Sequence, residues 1–428
     1  MRQSQTGTGG GVQLLSKQMR VIVCIIQTYG ELILSEKSEF NFDEVIDRTN
    51  TDSVKWGFLN ERYGDSDIIP LPVADMDFRV AEPILEAINE RTHHGIFGYA
   101  MPRPSYYTAI IKWFEKRHNW KIEKEWILSS PGVVPAVFVA VQTFTQPGDK
   151  ILVQTPAYYP FLMAPMLGRQ VVTSELLFDG KSYKMDYEDM AKKAKDPLVK
   201  MAILCSPHNP VGRVWSKDEL KQFGDICLEN HLLIFSDEIH WDLTLHNNKH
   251  IPFLTVSDDF RPRTIVGTSA SKSFNLAGLQ NSTIIVEQEH LRSDLKQGLS
   301  KAGIWVPNVF GMVATQAAYD HGEQWLNAVN QYVWENYLFL KDYFAEHLPQ
   351  ANVVEPEGTY LVWVDFRSFG LDPKKLEEVM LKQAKVALDE GYIFGPGGEG
   401  FERFNIACPR IILQEALERI KEAFKSTS

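Results

Sequence analysis

Three stretches decide the fold. Met201-Ala202-Ile203-Leu204 runs into Cys205-Ser206-Pro207-His208-Asn209-Pro210-Val211-Gly212, and Leu232-Leu233-Ile234-Phe235 runs into Ser236-Asp237-Glu238-Ile239-His240. The third, Thr264-Ile265-Val266-Gly267, runs into Thr268-Ser269-Ala270-Ser271-Lys272-Ser273. Each is a short, mostly apolar run closed by Ser, Pro, Gly or Asp, the pattern of a strand buried on both faces of a mostly parallel sheet. Lys217 to His231 reads as a helix, long enough for a right-handed crossover between the first two. Ligands of open α/β sheets bind beyond the carboxyl ends of the strands, so the residues just past each run carry the functional signal. Asn209, Asp237 and Lys272 stand there in turn, 28 and then 35 residues apart. Each interval suits one crossover unit, so an amide, a carboxylate and a lysine are expected on one sheet edge.

The same texture extends outward. Trp126–Leu128 and Ile151–Gln154 read as further strands, and Pro83–His93 reads as a helix with Pro at its start and Gly95 past its end. Tyr106–His118 is a second amphipathic helix. From about residue 325 the pattern changes to a long helix, Trp325–His347, then an alternating β-like stretch, Tyr360–Asp365. A last helix carries Leu413, Ala416, Leu417, Ile420, Ala423 and Phe424 on one face. The expected organisation is a large α/β domain over residues 86–325 and a smaller α+β domain from residues 38–85 and 326–428. Residues 1–37 form a polar extension. Its one apolar run, Val21 to Ile26, comes after Lys17 and Arg20, but no small-residue cleavage site lies beyond it, so it is not read as a signal peptide.

Bulk properties narrow the function. A length of 428 residues favours two domains. A net charge of -11 gives no basic face for nucleic acid, and no apolar run is long enough to span a membrane. Cys24, Cys205, Cys227 and Cys408 are scattered without a CxxC pair, as in reduced thiols of a cytoplasmic protein. The histidines lack metal-ligand spacing, so no metal is expected. Gly395-Pro396-Gly397-Gly398-Glu399-Gly400 has neither the Lys-Ser/Thr nor the βαβ context of a phosphate loop, and reads as a mobile loop near Arg403.

Singly, Asn-Pro is a turn, a strand-end Asp a helix cap and a lysine among serines a solvated loop residue. Together they match the requirements of pyridoxal phosphate (PLP). Its pyridine nitrogen must stay protonated to accept carbanion charge, and Asp237 is the acidic partner for it. Its aldehyde needs a lysine whose amine can be neutral, and Lys272 can supply that as a Schiff base. Ser269 and Ser271 can donate to a phosphate, and Asn209 can donate its amide to the phenolate oxygen of the ring.

These residues resemble fold-type I PLP enzymes. They are most similar to the MalY/PatB group of cystathionine β-lyase-type C–S lyases, relatives of the class I/II aminotransferases. Supporting stretches are Ala74-Asp75-Met76-Asp77-Phe78, Gly95-Ile96-Phe97-Gly98-Tyr99, Thr155-Pro156-Ala157-Tyr158, Gly358-Thr359-Tyr360-Leu361 and Arg403-Phe404-Asn405-Ile406-Ala407-Cys408-Pro409-Arg410. The likeness runs from about Phe40 to the C-terminus. It implies that Tyr158 stacks on the ring, and that Gly132-Val133-Val134 offers backbone N–H groups to the phosphate. It implies that Arg403 clamps the substrate carboxylate together with Asn209, and that Tyr99 reaches the partner's site in a homodimer.

Two departures from aminotransferases stand out: His240 replaces a Tyr three residues after the Asp, and Gln280 replaces an Arg eight residues after the Lys. The lyase-like group also lacks that Arg. The resemblance therefore implies β-elimination from cystathionine or a related cysteine S-conjugate, giving thiol, pyruvate and ammonia. Lys272 would be both tether and base at Cα. A class I/II aminotransferase is the second reading and a PLP-binding regulatory protein the third. His240 either bonds the ring oxygen or lines the pocket.

Overall fold

Short β-branched and leucine-rich runs become strands here because both their faces are covered. A computed structural model describes residues 40–163 and 168–427; the extension expected over residues 1–37 lies outside them, as does Cys24. Residues 42–428 form one compact unit. After the two-residue strand β1 (Ile69–Pro70) come β2 (Ile127–Ser130), β3 (Lys150–Thr155) and β4 (Gln170–Glu175). A small hairpin, β5 (Leu177–Phe178) and β6 (Tyr183–Lys184), precedes β7 (Val199–Cys205), β8 (Leu233–Asp237), β9 (Thr264–Thr268) and β10 (Ser282–Ile285). The seven-stranded sheet has the order β2-β10-β9-β8-β7-β3-β4. Neighbours are parallel from β9 to β4, while β10 runs antiparallel to both β9 and β2.

The three diagnostic runs are thus adjacent parallel strands. Their register sets Cys205 against Asp237 and Asp237 against Gly267, so the chain leaves all three at one level. Beneath lies a core of Ile151, Val153, Met201, Ile203, Phe235, Ile265 and Ile284, where each fully buried aliphatic side chain is worth about 1.5–3 kcal/mol. The helix Val133–Phe144 packs on it through Val133, Ala136, Val137 and Ala140. Its start can approach because residue 267 is glycine: a Cβ there would lie 2.6 Å from Val133 Cγ1.

The C-terminal part holds a second sheet of order β11-β12-β15-β14, built from β11 (Asn352–Val353), β12 (Leu361–Asp365), β14 (Asp389–Glu390) and β15 (Phe401–Asn405). The helices Glu323–His347 and Arg410–Thr427 pack against it and each other, with Phe344 against Phe404 and Phe424 against Phe366. The apolar face expected on the last helix is buried. β1 pairs in parallel with β13 (Val386–Ala387), tying the segment before residue 85 to this region. The glycine-rich turn 395–400 is tightly folded, with Gly398 O so close to Gly391 that a Cβ there would clash. No helix among the described residues is long and apolar enough to cross a membrane.

Candidate active site

Lys272 lies in a one-turn helix, Ala270–Ser273, just past β9. Ser269 caps that turn, accepting from Ser271 N–H at 3.0 Å and donating its own proton to Asn281 O at 2.7 Å. Ser273 donates to Asp242 at 2.7 Å, and the other Asp242 oxygen meets His118 Nε2 at 2.8 Å. The lysine backbone is therefore held on both sides by buried polar bonds. Its Nζ donates to Ala74 O at 2.7 Å. Burial pushes the Lys272 pKa down to about 8, helped by Arg403 and opposed by Asp75 and Asp237.

Asp237 ends β8. One oxygen accepts the Ile239 N–H at 3.0 Å, and burial, reinforced by Glu238, pushes its carboxyl up to about 7, against that hydrogen bond and Lys272. A carboxyl left here without a close cation is poised to receive one. Asn209, past β7, accepts from Arg403 Nη1 at 2.9 Å, which brings β15 to the sheet edge. The Arg403 Nη2 pairs with Asp389. Tyr158 lies just past β3, its phenol pushed far up by burial, with Arg403, Asp237 and Asp389 among its charged neighbours. His240 is buried 6.1 Å from the Tyr360 ring and held neutral by burial and by the charges of Lys272 and Arg403.

Several groups in this cleft become visible only with the fold. The loop Val73–Asp75 is one. Val73 has φ +58°, an unusual left-handed conformation for a β-branched residue. Asn405 fastens it, donating to Val73 O at 2.7 Å and to Asp75 O at 2.6 Å. Asn275, three residues after Lys272, donates to Met76 O and Phe78 O and accepts from Met76 N–H. Lys272 Nζ and Tyr360 Oη, at 2.7 and 2.8 Å, converge on the same carbonyl, Ala74 O. Asp75 pairs with Arg48 at 2.7 Å, while its Oδ1 is buried without a partner among the described residues. Ala74, Asp75, Tyr360 and Asn405 all fall within the quoted motif stretches, but their roles do not show there; Ala74 contributes only backbone, which no residue type announces.

The residues fit PLP. Four buried polar atoms around the cleft lack a partner among the described residues: Ser206 Oγ, His240 Nδ1, Arg403 Nε and Asp75 Oδ1. Buried polar groups are seldom left so unless a ligand or water meets them. The helix Val133–Phe144 begins at Gly132 with no side-chain cap, and Pro135 at its third position has no N–H, so Val133 and Val134 carry the first-turn donors. Gln280 is exposed, with a left-handed backbone. Tyr99 sits apart on the segment between the helices Glu82–His93 and Pro104–His118, fully exposed beside exposed Ile96, Phe97 and Met101.

Comparison with known proteins agrees with this geometry. Residues 66–420 match the family described as aminotransferase class I and II. The chain is 43% identical over 384 residues to the cystathionine beta-lyase PatB of Bacillus subtilis, covering 90% of this chain and 99% of that one. It is 33% identical over 391 residues to the protein MalY of Escherichia coli, covering 90% and 99%. Among solved structures, cystalysin from Treponema denticola, which contains a pyridoxal 5'-phosphate cofactor, superposes with a TM-score of 0.89 at 38% identity, covering 91% and 100%.

Proposed function

The chain belongs to the aminotransferase class I and II family, within its PatB- and MalY-like group, and from that premise we propose that it is a PLP-dependent carbon–sulfur lyase. Its reaction is β-elimination on cystathionine or a related cysteine S-conjugate, yielding thiol, pyruvate and ammonia. The observation that carries this reading is the placement of Lys272, its pKa lowered to about 8, and Asp237, its carboxyl raised to about 7, past adjacent strand ends, in a chain 43% identical to a protein named for that elimination.

Lys272 is the residue that would hold PLP, Asp237 its ring nitrogen and Tyr158 its face. Val133, Val134, Ser269 and Ser271 would receive the phosphate; Ser269 must turn its hydroxyl from Asn281 O to donate. Asn209 and His240 line the ring-oxygen side. Bound PLP supplies an electrophilic carbon for the substrate amine and a protonated ring that delocalises charge from Cα. Arg403, steadied by Asn209, binds the substrate carboxylate and so fixes which Cα bond faces Lys272. The freed Lys272 amine takes the Cα proton, and burial keeps enough of it neutral near pH 8 to do so. Ala74 O and Asp75 then stabilise the resulting ammonium, which returns a proton to the departing sulfur. Tyr360, its proton held by burial, fixes the same carbonyl.

Tyr99 belongs in this reading to the partner's phosphate site, which makes the working unit a homodimer. The exposed apolar run Ile96, Phe97 and Met101 supports a covered interface there. We assign residues 86–325 to the cofactor-binding domain and residues 38–85 with 326–428 to the smaller one. Cytoplasmic residence accords with Cys205, Cys227 and Cys408 being buried, unpaired thiols.

Purified protein incubated with L-cystathionine should release pyruvate and thiol. A parallel reaction with an amino acid and 2-oxoglutarate should yield little glutamate. Glutamate without pyruvate would replace the lyase by an aminotransferase, and bound chromophore without turnover would favour the regulatory reading.

A further inference from the structure

Arg403 is almost wholly buried, yet its charge is already met. Asp389 on β14 stands directly opposite Arg403 on β15, so strand register alone places their side chains on one face. Asp389 pairs with Nη2, and Asn209 Oδ1 accepts from Nη1 at 2.9 Å. The third guanidinium nitrogen, Nε, is buried without a partner among the described residues. One of its two side-chain partners, Asn209, is neutral. The other, the Asp389 carboxylate, has the chemistry of the group that the clamp is built to receive. The same Asp389 Oδ2 lies 3.3 Å from Val73 N–H, at the left-handed residue that precedes Ala74.

Resting on the reading of Arg403 as the carboxylate clamp, we infer that Asp389 is a specificity-determining residue that occupies the clamp in the resting enzyme and competes with the substrate α-carboxylate. An incoming amino acid exchanges one carboxylate for another on Arg403 and gains less than it would at an unpaired arginine. The exchange also frees Val73 N–H, so occupancy of the clamp is felt one residue from the carbonyl that holds Lys272. With Asp389 and Asp75 both facing the cleft, a side chain of net negative charge is repelled, whereas a zwitterionic arm such as that of cystathionine is not. The favoured substrates are amino acids whose side chains are neutral or carry a cation.

The test uses the PLP-loaded protein and L-alanine, which has no leaving group at Cβ. Affinity is read by calorimetry and by cofactor absorbance rather than by turnover. L-alaninamide, which lacks the carboxylate, serves as the reference. D389N should bind L-alanine about tenfold more tightly while its affinity for L-alaninamide moves less than about threefold. D389S should shift in the same direction, and D389E should stay within about twofold of the unaltered protein. L-alanine binding that is unchanged or weaker in D389N and D389S, while R403A still loses affinity, overturns the inference and leaves the clamp standing. An R403A variant that binds L-alanine normally removes the clamp, and the inference with it. Should D389N not fold, D389S and D389E carry the same comparison.

Discussion

Replacing Asn405 by Ala tests whether the loop carrying Ala74 is held by one side chain. The wild-type amide donates to Val73 O and Asp75 O and accepts from Ala407 N–H at 2.9 Å, all in a fully buried position. N405A strands the Asp75 carbonyl and the Ala407 N–H and removes one of the two donors at Val73 O, which keeps the Asp75 N–H at 3.0 Å. At about 1–3 kcal/mol for each of the two groups left unpaired, and with partial relief by water, the expected loss is about 2–4 kcal/mol. Val73 provides an internal control. Its left-handed backbone costs about 1–2 kcal/mol, and glycine returns about half of that as unfolded-chain entropy, so V73G alone should stabilise by about 0.5–1 kcal/mol. Once Asn405 is gone the loop no longer has to hold that conformation, and V73G should then gain almost nothing. The cycle is read by urea unfolding of the cofactor-free protein, so the result is independent of catalysis. A loss below about 1 kcal/mol for N405A, or an equal gain from V73G in both backgrounds, would refute the idea that Asn405 imposes the strain.

Other consequences can be checked separately. In the cofactor-free protein, acylation of Lys272 followed by peptide mass spectrometry should show a midpoint near pH 8, as its lowered pKa requires; a midpoint at the ordinary lysine value would contradict the burial argument. Lys272→Ala should abolish pyruvate release, and near-normal turnover would sink the assignment of the base. Glu402 has its pKa raised by burial, with Glu390 opposite it in register adding to the effect. The folded state therefore keeps a proton that the unfolded chain gives up above pH ~4.5, and stability falls by up to ~1.4 kcal/mol per unit as pH rises from there. E402Q should flatten that slope, and parallel stability–pH curves for parent and variant would be the wrong result. Tyr99→Ala should speed PLP loss while leaving the dimer mass unchanged in light scattering; unchanged retention would remove Tyr99 from the phosphate site.

Much of this architecture is legible because chemistry and topology coincide. Asn209, Asp237 and Lys272 advertise themselves as strand-end residues, and hydrophobic runs bounded by Pro, Gly and Asp place the strands to within a few residues. β4 and β10 escape such a reading. β4 lies at the sheet edge, where Gln170, Thr173 and Glu175 break the apolar pattern, and β10 is a short Ser-Thr-Ile-Ile run. Asp389 looks like any polar residue until the β14–β15 register sets it against Arg403. Val73 sends the opposite of its actual signal, since a β-branched side chain argues for extended backbone. Ser269 is visible as a hydroxyl near Lys272, but sequence does not reveal that its proton is directed at Asn281 O.

The fastening of Leu71–Asp77 to β13 and β15 also has a bearing on synthesis. Leu71 N–H bonds Ala387 O, Asp77 N–H bonds Ala407 O, and Asn405 grips the segment between them. A ribosome makes the Ala74 carbonyl some three hundred residues before the side chain that orients it. All seven strands of the large sheet can emerge while the lysine's resting carbonyl is still unanchored. A nascent chain halted before Asn405 should expose a lysine turn without its proper seat.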